Sequence, residues 1–160
     1  MSFARAVAFV LAREAGLVDD PQDPGGLSNH GIALRRHPEL TADDIRNMTP
    51  ARAAEIYHGQ QYWGAIHGDE LPDALQLPML DTAVVEGPGT AIKCLQRALG
   101  LTDDGVIGPV TLKTARVLVG KTLLEKFGAE RIVEMSQCVN WPHDRRGWAR
   151  RVIASCVEDL

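Results

Sequence analysis

Apolar residues recur along this chain at helical spacing, and short polar breaks separate the apolar segments. Near the start, Phe3, Val7 and Val10 follow one another at intervals of three to four residues, which places them on one helical face. This periodicity predicts a first helix over residues 2–15. Residues 18–29 contain two prolines and a Gly-Gly pair, which exclude regular helix and predict an ordered turn or short hairpin.

Two more helices carry clear start signals. Thr41 with Asp44 three residues later is typical of a capping box, in which each residue binds the other's backbone. Thr49 precedes Pro50, and proline is favoured at the first position of a helix. The second of these helices is predicted to continue as far as Trp63.

The second half of the chain continues the helical pattern. The apolar segment LQLPMLDTAVVEG ends at a Gly-Pro-Gly turn, and a helix is predicted over about 90–99, ended by Gly100. A tight turn in TDDGVIGP precedes a helix that begins near Pro109, and further helices are predicted around 121–138 and 146–158. The pattern therefore predicts a mostly α fold of about seven short helices, with one irregular loop or short hairpin.

Composition is that of an ordinary globular protein. The 160 residues suit one domain; 45% are apolar and 24% charged, and no apolar run approaches the roughly 20 residues that span a bilayer. Residues 6–12 are apolar but lack the cleavage site of a signal peptide, so we expect the protein to be cytoplasmic when synthesised. The net charge of −4 argues against nucleic-acid binding, and the basic run Arg145 to Arg151 is predicted to be a solvated helix face.

The sequence offers no strong metal site, and no cofactor is expected. The odd number of cysteines predicts reduced, buried thiols, because their spacing fits no zinc motif: Cys94, Cys138 and Cys156. Calcium is a rival interpretation of the oxygen-rich loop formed by Asp19, Asp20, Asp23 and Asn29. That loop lacks the alternating acids and the closing glutamate of a twelve-residue calcium loop, so we predict no metal there.

Glu14 is the most informative single residue. It lies eleven residues after Phe3 and seven after Val7, close to whole numbers of helical turns, and so falls on the apolar stripe. A carboxylate there loses hydration, which disfavours its charged form and suits a general acid. The alternative is structural: Glu14 pairs with Arg13, with Arg35 or with a backbone amide.

Several blocks of the sequence together resemble glycoside hydrolase family 108, the phage-type N-acetylmuramidases. The first is EAGLVDDPQDPGGLSNHGI, similar to the family pattern E-G-G-Y-x-x-D-P-x-D-x-G-G-x-T-x-x-G-I. IYHGQQYW, DELP, DTAV before a G-P-G turn, CLQRALGLTDDGVIGPVTL and GWARR follow in the family's order. The resemblance extends from about residue 3 to residue 155.

The resemblance implies a lysozyme-like helical fold and hydrolysis of the β-1,4 bond between N-acetylmuramic acid and N-acetylglucosamine in peptidoglycan. It implies that Glu14 is the catalytic acid, in a catalytic part formed by residues 1–86. Residues 87–160 are then expected to form a peptidoglycan-binding-like helical part that packs against it. We expect a monomeric phage or prophage endolysin that acts in the periplasm or on the cell wall after release.

Glycoside hydrolysis also needs a second group, which acts as nucleophile or holds the attacking water. The loop offers Asp23 and Asp20, and we favour inversion with one of them placing water. Sugar contacts are predicted to come from aromatic faces and short polar groups, namely Ser28, Asn29, Tyr57, Tyr62 and Trp63. For Trp63, core packing is an equally good interpretation.

Three positions depart from the family pattern. Ala15 replaces a glycine, Leu17 replaces the usual tyrosine, and Val85-Glu86 stand where an asparagine and a small or polar residue are common. These changes affect the expected cleft wall more than Glu14. They keep open the alternative of a wall-binding protein of the same fold with weakened catalysis. The missing signal-peptide pattern leaves a second alternative, an adaptor or secretion-related protein that acts through its helical surface.

Overall fold

A computed structural model describes residues 3–14, 16–19 and 26–157 of the protein. The first helix, α1, spans Phe3–Leu11, and its buried face includes Val7 and Val10, as the periodicity predicts. The helix ends three residues before Glu14, although the Glu14 backbone N–H still donates to the Val10 carbonyl at 3.0 Å. The predicted helix to residue 15 was therefore too long.

A short hairpin follows, formed by β1 (Ser28–Asn29) and β2 (Ile32–Ala33), which pair antiparallel. The two residues of its turn, His30 and Gly31, have φ angles of 49° and 79°. Positive φ at both central positions is the geometry of a two-residue hairpin turn that follows the twist of its strands. The prediction of a short hairpin in this region is thus confirmed.

Helices α2 (Ala42–Arg46) and α3 (Pro50–His58) begin at the predicted caps. The capping box at Thr41 is complete, and the Thr49 side chain accepts a hydrogen bond from the Arg52 backbone N–H. Helix α3 ends at His58, followed by irregular turns instead of the predicted helix to Trp63, because Gly59 interrupts it.

The centre of the fold is α4 (Asp73–Glu86), in which every residue from 75 to 84 is buried. A helix that is apolar on all sides must be surrounded by other elements. Helix α4 is indeed packed against α1 and against three later helices, α5 (Pro88–Leu99), α7 (Lys121–Ser136) and α8 (Trp141–Val157). This central position lets α4 present side chains to both ends of the chain.

The remaining helix, α6 (Pro109–Leu118), packs against α5. The part of the chain that is described therefore contains eight α-helices and one two-stranded sheet, and the prediction of a mostly α fold is confirmed. The last helix begins at Trp141, five residues earlier than predicted, because Pro142 in its first turn needs no backbone hydrogen bond there.

The cysteines are reduced, and two of them, Cys94 and Cys156, are buried as predicted. Cys138 is exposed instead, because it lies in the connection between α7 and α8. Within the described ranges, no helix has both the length and the apolar composition needed to cross a bilayer. The same ranges contain no group of three or more His, Cys, Asp or Glu side chains placed to hold a metal ion.

Candidate active site

Glu14 lies just beyond α1, and its side chain is mostly covered, with 18% of its surface exposed. Its Oε1 accepts a hydrogen bond of 2.6 Å from Nη2 of Arg151, which α8 brings from the far end of the chain. The structural alternative named Arg13, Arg35 or a backbone amide as the partner of Glu14. Among the described residues, the ion-pair partner of Glu14 is Arg151, which was not among the predicted partners.

Asp81 of α4 also binds Arg151 and fixes its position. The Nε and Nη2 atoms of Arg151 lie 2.9 Å and 2.8 Å from Oδ1 of Asp81, whose side chain is fully buried. Burial opposes the charge on Arg151, but the neighbouring Asp81 and Glu14 carboxylates outweigh it and raise the pKa of Arg151. Arg151 therefore stays a cation with both carboxylates as partners.

The network continues on the other side of Asp81. Its Oδ2 accepts a hydrogen bond of 2.7 Å from Nη1 of Arg131, and Nε of Arg131 donates to Oε1 of Glu86, also at 2.7 Å. Burial raises the pKa of Glu86, although the Arg131 cation partly offsets this. Three carboxylates and two guanidinium groups thus alternate in a chain that links α1, α4, α7 and α8.

The hairpin turn lies close to the second oxygen of Glu14. A Cβ atom built on Gly31 would lie 2.9 Å from Oε2 of Glu14 and would overlap the hydroxyl group of Tyr57. The Tyr57 hydroxyl donates to the His30 carbonyl at 2.8 Å, which fixes the turn. Burial, together with the charge of Glu14, raises the pKa of Tyr57, so Tyr57 remains a neutral hydrogen-bond donor.

Three of the predicted sugar-binding residues are core residues in the structure. Trp63 is 2% exposed and donates from Nε1 to Asp69 at 3.0 Å, which fits the core-packing interpretation. The Tyr62 hydroxyl pairs with Nε2 of His37 at 3.1 Å. Asn29 donates to the Ile45 carbonyl at 3.0 Å, which ties the hairpin to α2.

Of the other predicted site residues, two are described by the structure and two are not. Tyr57 is fully buried but lies directly against the Gly31 turn and Glu14, whereas Ser28 is half-buried in β1. Asp20 and Asp23, the predicted partners of Glu14, lie outside the described residues, as does Ala15.

Two cavities flank Trp148 of α8. One has a volume of about 450 Å³ and is lined by Arg13, Gly147, Trp148, Arg150, Arg151 and Ala154. The other has a volume of about 400 Å³, and its lining includes Arg36, Val85, Glu86, Glu134 and Trp148. Glu14 does not itself line the first cavity, but it is bound to Arg151 and follows Arg13 in the chain, and both of these arginines do line it.

Three members of this site were not predicted from the sequence: Asp81, Arg131 and Arg151. A signal for Asp81 was present, since it is the only acid inside the apolar segment LQLPMLDTAVV. An acid within a buried helix needs a cation partner, because an unpaired buried charge is strongly destabilising. Arg151 carried no such signal and was instead assigned, with Arg145, to a solvated face; it turns inward and is 17% exposed.

The chain is similar to known proteins over nearly its whole length. The family model described as Glycosyl hydrolase 108 matches residues 7–87. The solved structure of Brucella abortus SagA matches with a TM-score of 0.87 and 31% sequence identity, covering 98% of this chain and 92% of that chain. No curated protein sequence is significantly similar. The matches confirm the family resemblance and the expected lysozyme-like helical fold.

Proposed function

The chain belongs to glycosyl hydrolase family 108, and from this premise we propose that it is an N-acetylmuramidase with Glu14 as its general acid. Membership of the family supports a peptidoglycan hydrolase. The observation that carries the finer proposal is the setting of Glu14: a mostly covered carboxylate, held by one arginine, beside a cavity of about 450 Å³.

The two oxygens of Glu14 have different surroundings, which suggests how it acts. Oε1 accepts from Arg151, while Oε2 faces the Gly31 turn and makes no hydrogen bond with another described residue. A carboxylic acid needs one oxygen to carry the proton, and the oxygen that accepts from an arginine is the poorer choice. We therefore assign the proton to Oε2, from which it passes to the leaving glycosidic oxygen.

The second catalytic role stays with the loop after α1. Asp81 is unsuited to it, because both of its oxygens are bound to arginines inside the core. We propose that Asp23 or Asp20 places the attacking water and that the reaction inverts. Inversion is the outcome when roughly 6.5–9.5 Å separates the two carboxyl groups and leaves room for that water.

The decisive experiment is digestion of purified peptidoglycan followed by mass spectrometry of the products. A muramidase leaves reducing N-acetylmuramic acid, whereas a glucosaminidase leaves reducing N-acetylglucosamine and an amidase releases peptides. We expect Glu14→Gln to lower the rate by about 10²- to 10⁴-fold, as for loss of a positioned acid. The matched control is Glu55→Gln, which changes a glutamate that is 66% exposed on α3.

Two results would contradict this function. Full activity of the Glu14→Gln protein would remove Glu14 from the mechanism. Binding of the wild-type protein to insoluble peptidoglycan without release of any reducing sugar would favour the wall-binding alternative.

We further propose an endolysin role, with residues 87–160 assisting wall binding. Expression inside a bacterial cell should cause lysis only when a pore-forming protein is co-expressed. Lysis without such a pore would count against this role.

A further inference from the structure

The cavity beside Glu14 is unusually rich in arginine for a protein whose net charge is −4. Arg13, Arg150 and Arg151 all line it. The charge of Arg151 is neutralised, because it binds Glu14 at 2.6 Å and Asp81 at 2.8 Å. The question is therefore what the other two guanidinium groups bind.

Arg13 is held in place by uncharged partners. Its guanidinium carbon lies 3.3 Å from the centre of the Phe9 ring, and Nη1 donates to the Phe9 carbonyl at 3.1 Å. Neither contact neutralises the cation, and neither Arg13 nor Arg150 forms an ion pair with any residue in the described ranges. Two guanidinium groups without an acidic partner among the described residues thus border one cavity.

The rest of the cavity wall leaves room and offers an apolar surface. A Cβ atom built on Gly147 would have no other atom within 4 Å, so the space above this turn of α8 is open. Half-buried Trp148 forms the side of the cavity and is supported by Trp141, with ring centres 6.2 Å apart. The cavity combines two cations, an indole and open space next to the candidate acid.

We propose that this cavity binds the carboxylates of the peptide stem attached to the muramic acid residue, through Arg13 and Arg150. The proposal rests on the proposed function, since it takes the wall polymer as the substrate. A guanidinium group matches the geometry of a carboxylate, which it can bind through two parallel hydrogen bonds. The stem is attached to the sugar whose glycosidic bond is cleaved, so its carboxylates reach a cavity that adjoins Glu14.

Binding to uncleaved ligands tests the proposal directly. The Glu14→Gln protein is titrated with a disaccharide that carries its peptide stem and with the same disaccharide after an amidase has removed the stem. We expect the stem to increase affinity by about tenfold, the size of one or two charge-assisted contacts at a partly exposed site. In the added Arg13→Gln/Arg150→Gln double variant, the two ligands should bind equally.

The control is the double variant Arg145→Gln/Arg146→Gln in the same background. It removes the same number of charges, both from α8, at exposed positions that do not line the cavity. It should keep the tenfold preference for the stem. A second variant, Gly147→Leu, changes no charge and suits a helix interior, but it fills the open space and should abolish the preference.

Several outcomes would overturn the inference. These are equal affinity for both ligands in the Glu14→Gln protein, an equal loss in both arginine double variants, and stronger competition by inorganic phosphate than by free stem peptide. The last would assign the cavity to a phosphate-bearing wall polymer. Failure of the proposed function looks different: the protein with Glu14 intact releases no reducing muramic acid, while the stem-dependent binding remains.

Discussion

Two carboxylate–arginine pairs meet at Asp81, and the difference between them supports a catalytic role for the first and a structural role for the second. Glu14 and Arg151 are 18% and 17% exposed and adjoin a cavity. Glu86 and Arg131 are 11% and 0% exposed, and both Oε2 of Glu86 and Nη2 of Arg131 are buried without a hydrogen-bond partner among the described residues. The first pair leaves its acid partly exposed, whereas the second pair lies between helices and is nearly inaccessible.

Burial explains why the second pair is poorly suited to chemistry. Both charges of a buried ion pair lose their hydration. The attraction between them offsets this desolvation cost only when the remaining polar atoms of the pair are also hydrogen-bonded. Oε2 of Glu86 and Nη2 of Arg131 do not meet that condition. Both pairs join a glutamate to an arginine, so they differ in exposure and not in chemical type. We therefore expect exposure to determine their roles, and substitutions in the network test this expectation.

The largest effect is expected at Asp81, which serves both pairs. Asp81→Ala leaves two arginines without their shared partner, one of them fully buried. We expect the free energy of unfolding to fall by about 3–5 kcal/mol, measured by urea denaturation. Asp103→Ala is the control, because Asp103 also binds an arginine but is 46% exposed, and its loss should cost about 0–1 kcal/mol. Equal destabilisation of the two variants would refute the assigned role of Asp81.

Gly31→Ala tests the hairpin turn that lies close to Glu14. Alanine is disfavoured at a φ of 79°, and its Cβ would overlap the Tyr57 hydroxyl and approach Oε2 of Glu14. We expect a loss of about 1–3 kcal/mol in stability and a lower rate of peptidoglycan digestion. The control is Gly89→Ala within α5, where a Cβ meets no atom within 4 Å. Unchanged activity of the Gly31 variant would mean that the turn does not position Glu14.

Arg151→Lys tests the more exposed pair alone. Lysine keeps the charge but lacks the fork that lets one side chain bind Glu14 and Asp81 together. As Arg151 is a positioning residue in this interpretation, we expect kcat to fall by about tenfold with little change in KM. Arg146→Lys, at an exposed position of α8, should leave both constants unchanged. A change confined to thermal stability would make Arg151 structural only.

How much of the structure can be predicted from the sequence depends on how far apart in the chain the interacting residues lie. The caps at Thr41 and Thr49 were predicted because the residues that satisfy the backbone lie within one turn of it. The start of α8 was misplaced because a proline at a helix start looks like a helix breaker.

The site itself was only half predictable. Glu14 was singled out because the predicted helix over residues 2–15 places it on the apolar stripe, although α1 ends at Leu11. Its partner Arg151 is 137 residues away, and the pair forms only because α4 and α8 pack together. No periodicity within a single helix encodes which distant cation will meet a given acid, so the pairing needed the three-dimensional structure.

The smallest effect, and the one that separates the two pairs most cleanly, is expected from Glu86→Gln. Burial raises the pKa of Glu86, so wild-type Glu86 contributes stability below its unfolded pKa, near 4.5, which is lost as the pH rises through the folded value. Glutamine can still accept from Arg131 but does not titrate. The stability of Glu86→Gln relative to the wild type should therefore improve as the pH rises above the unfolded pKa of Glu86 and through its raised folded pKa. Denaturation at several pH values measures this difference, with exposed Glu55→Gln as the control. If the stability difference between Glu86→Gln and the wild type stays constant with pH, Glu86 ionises as easily in the buried pair as in water. The contrast with the Glu14 pair would then be wrong.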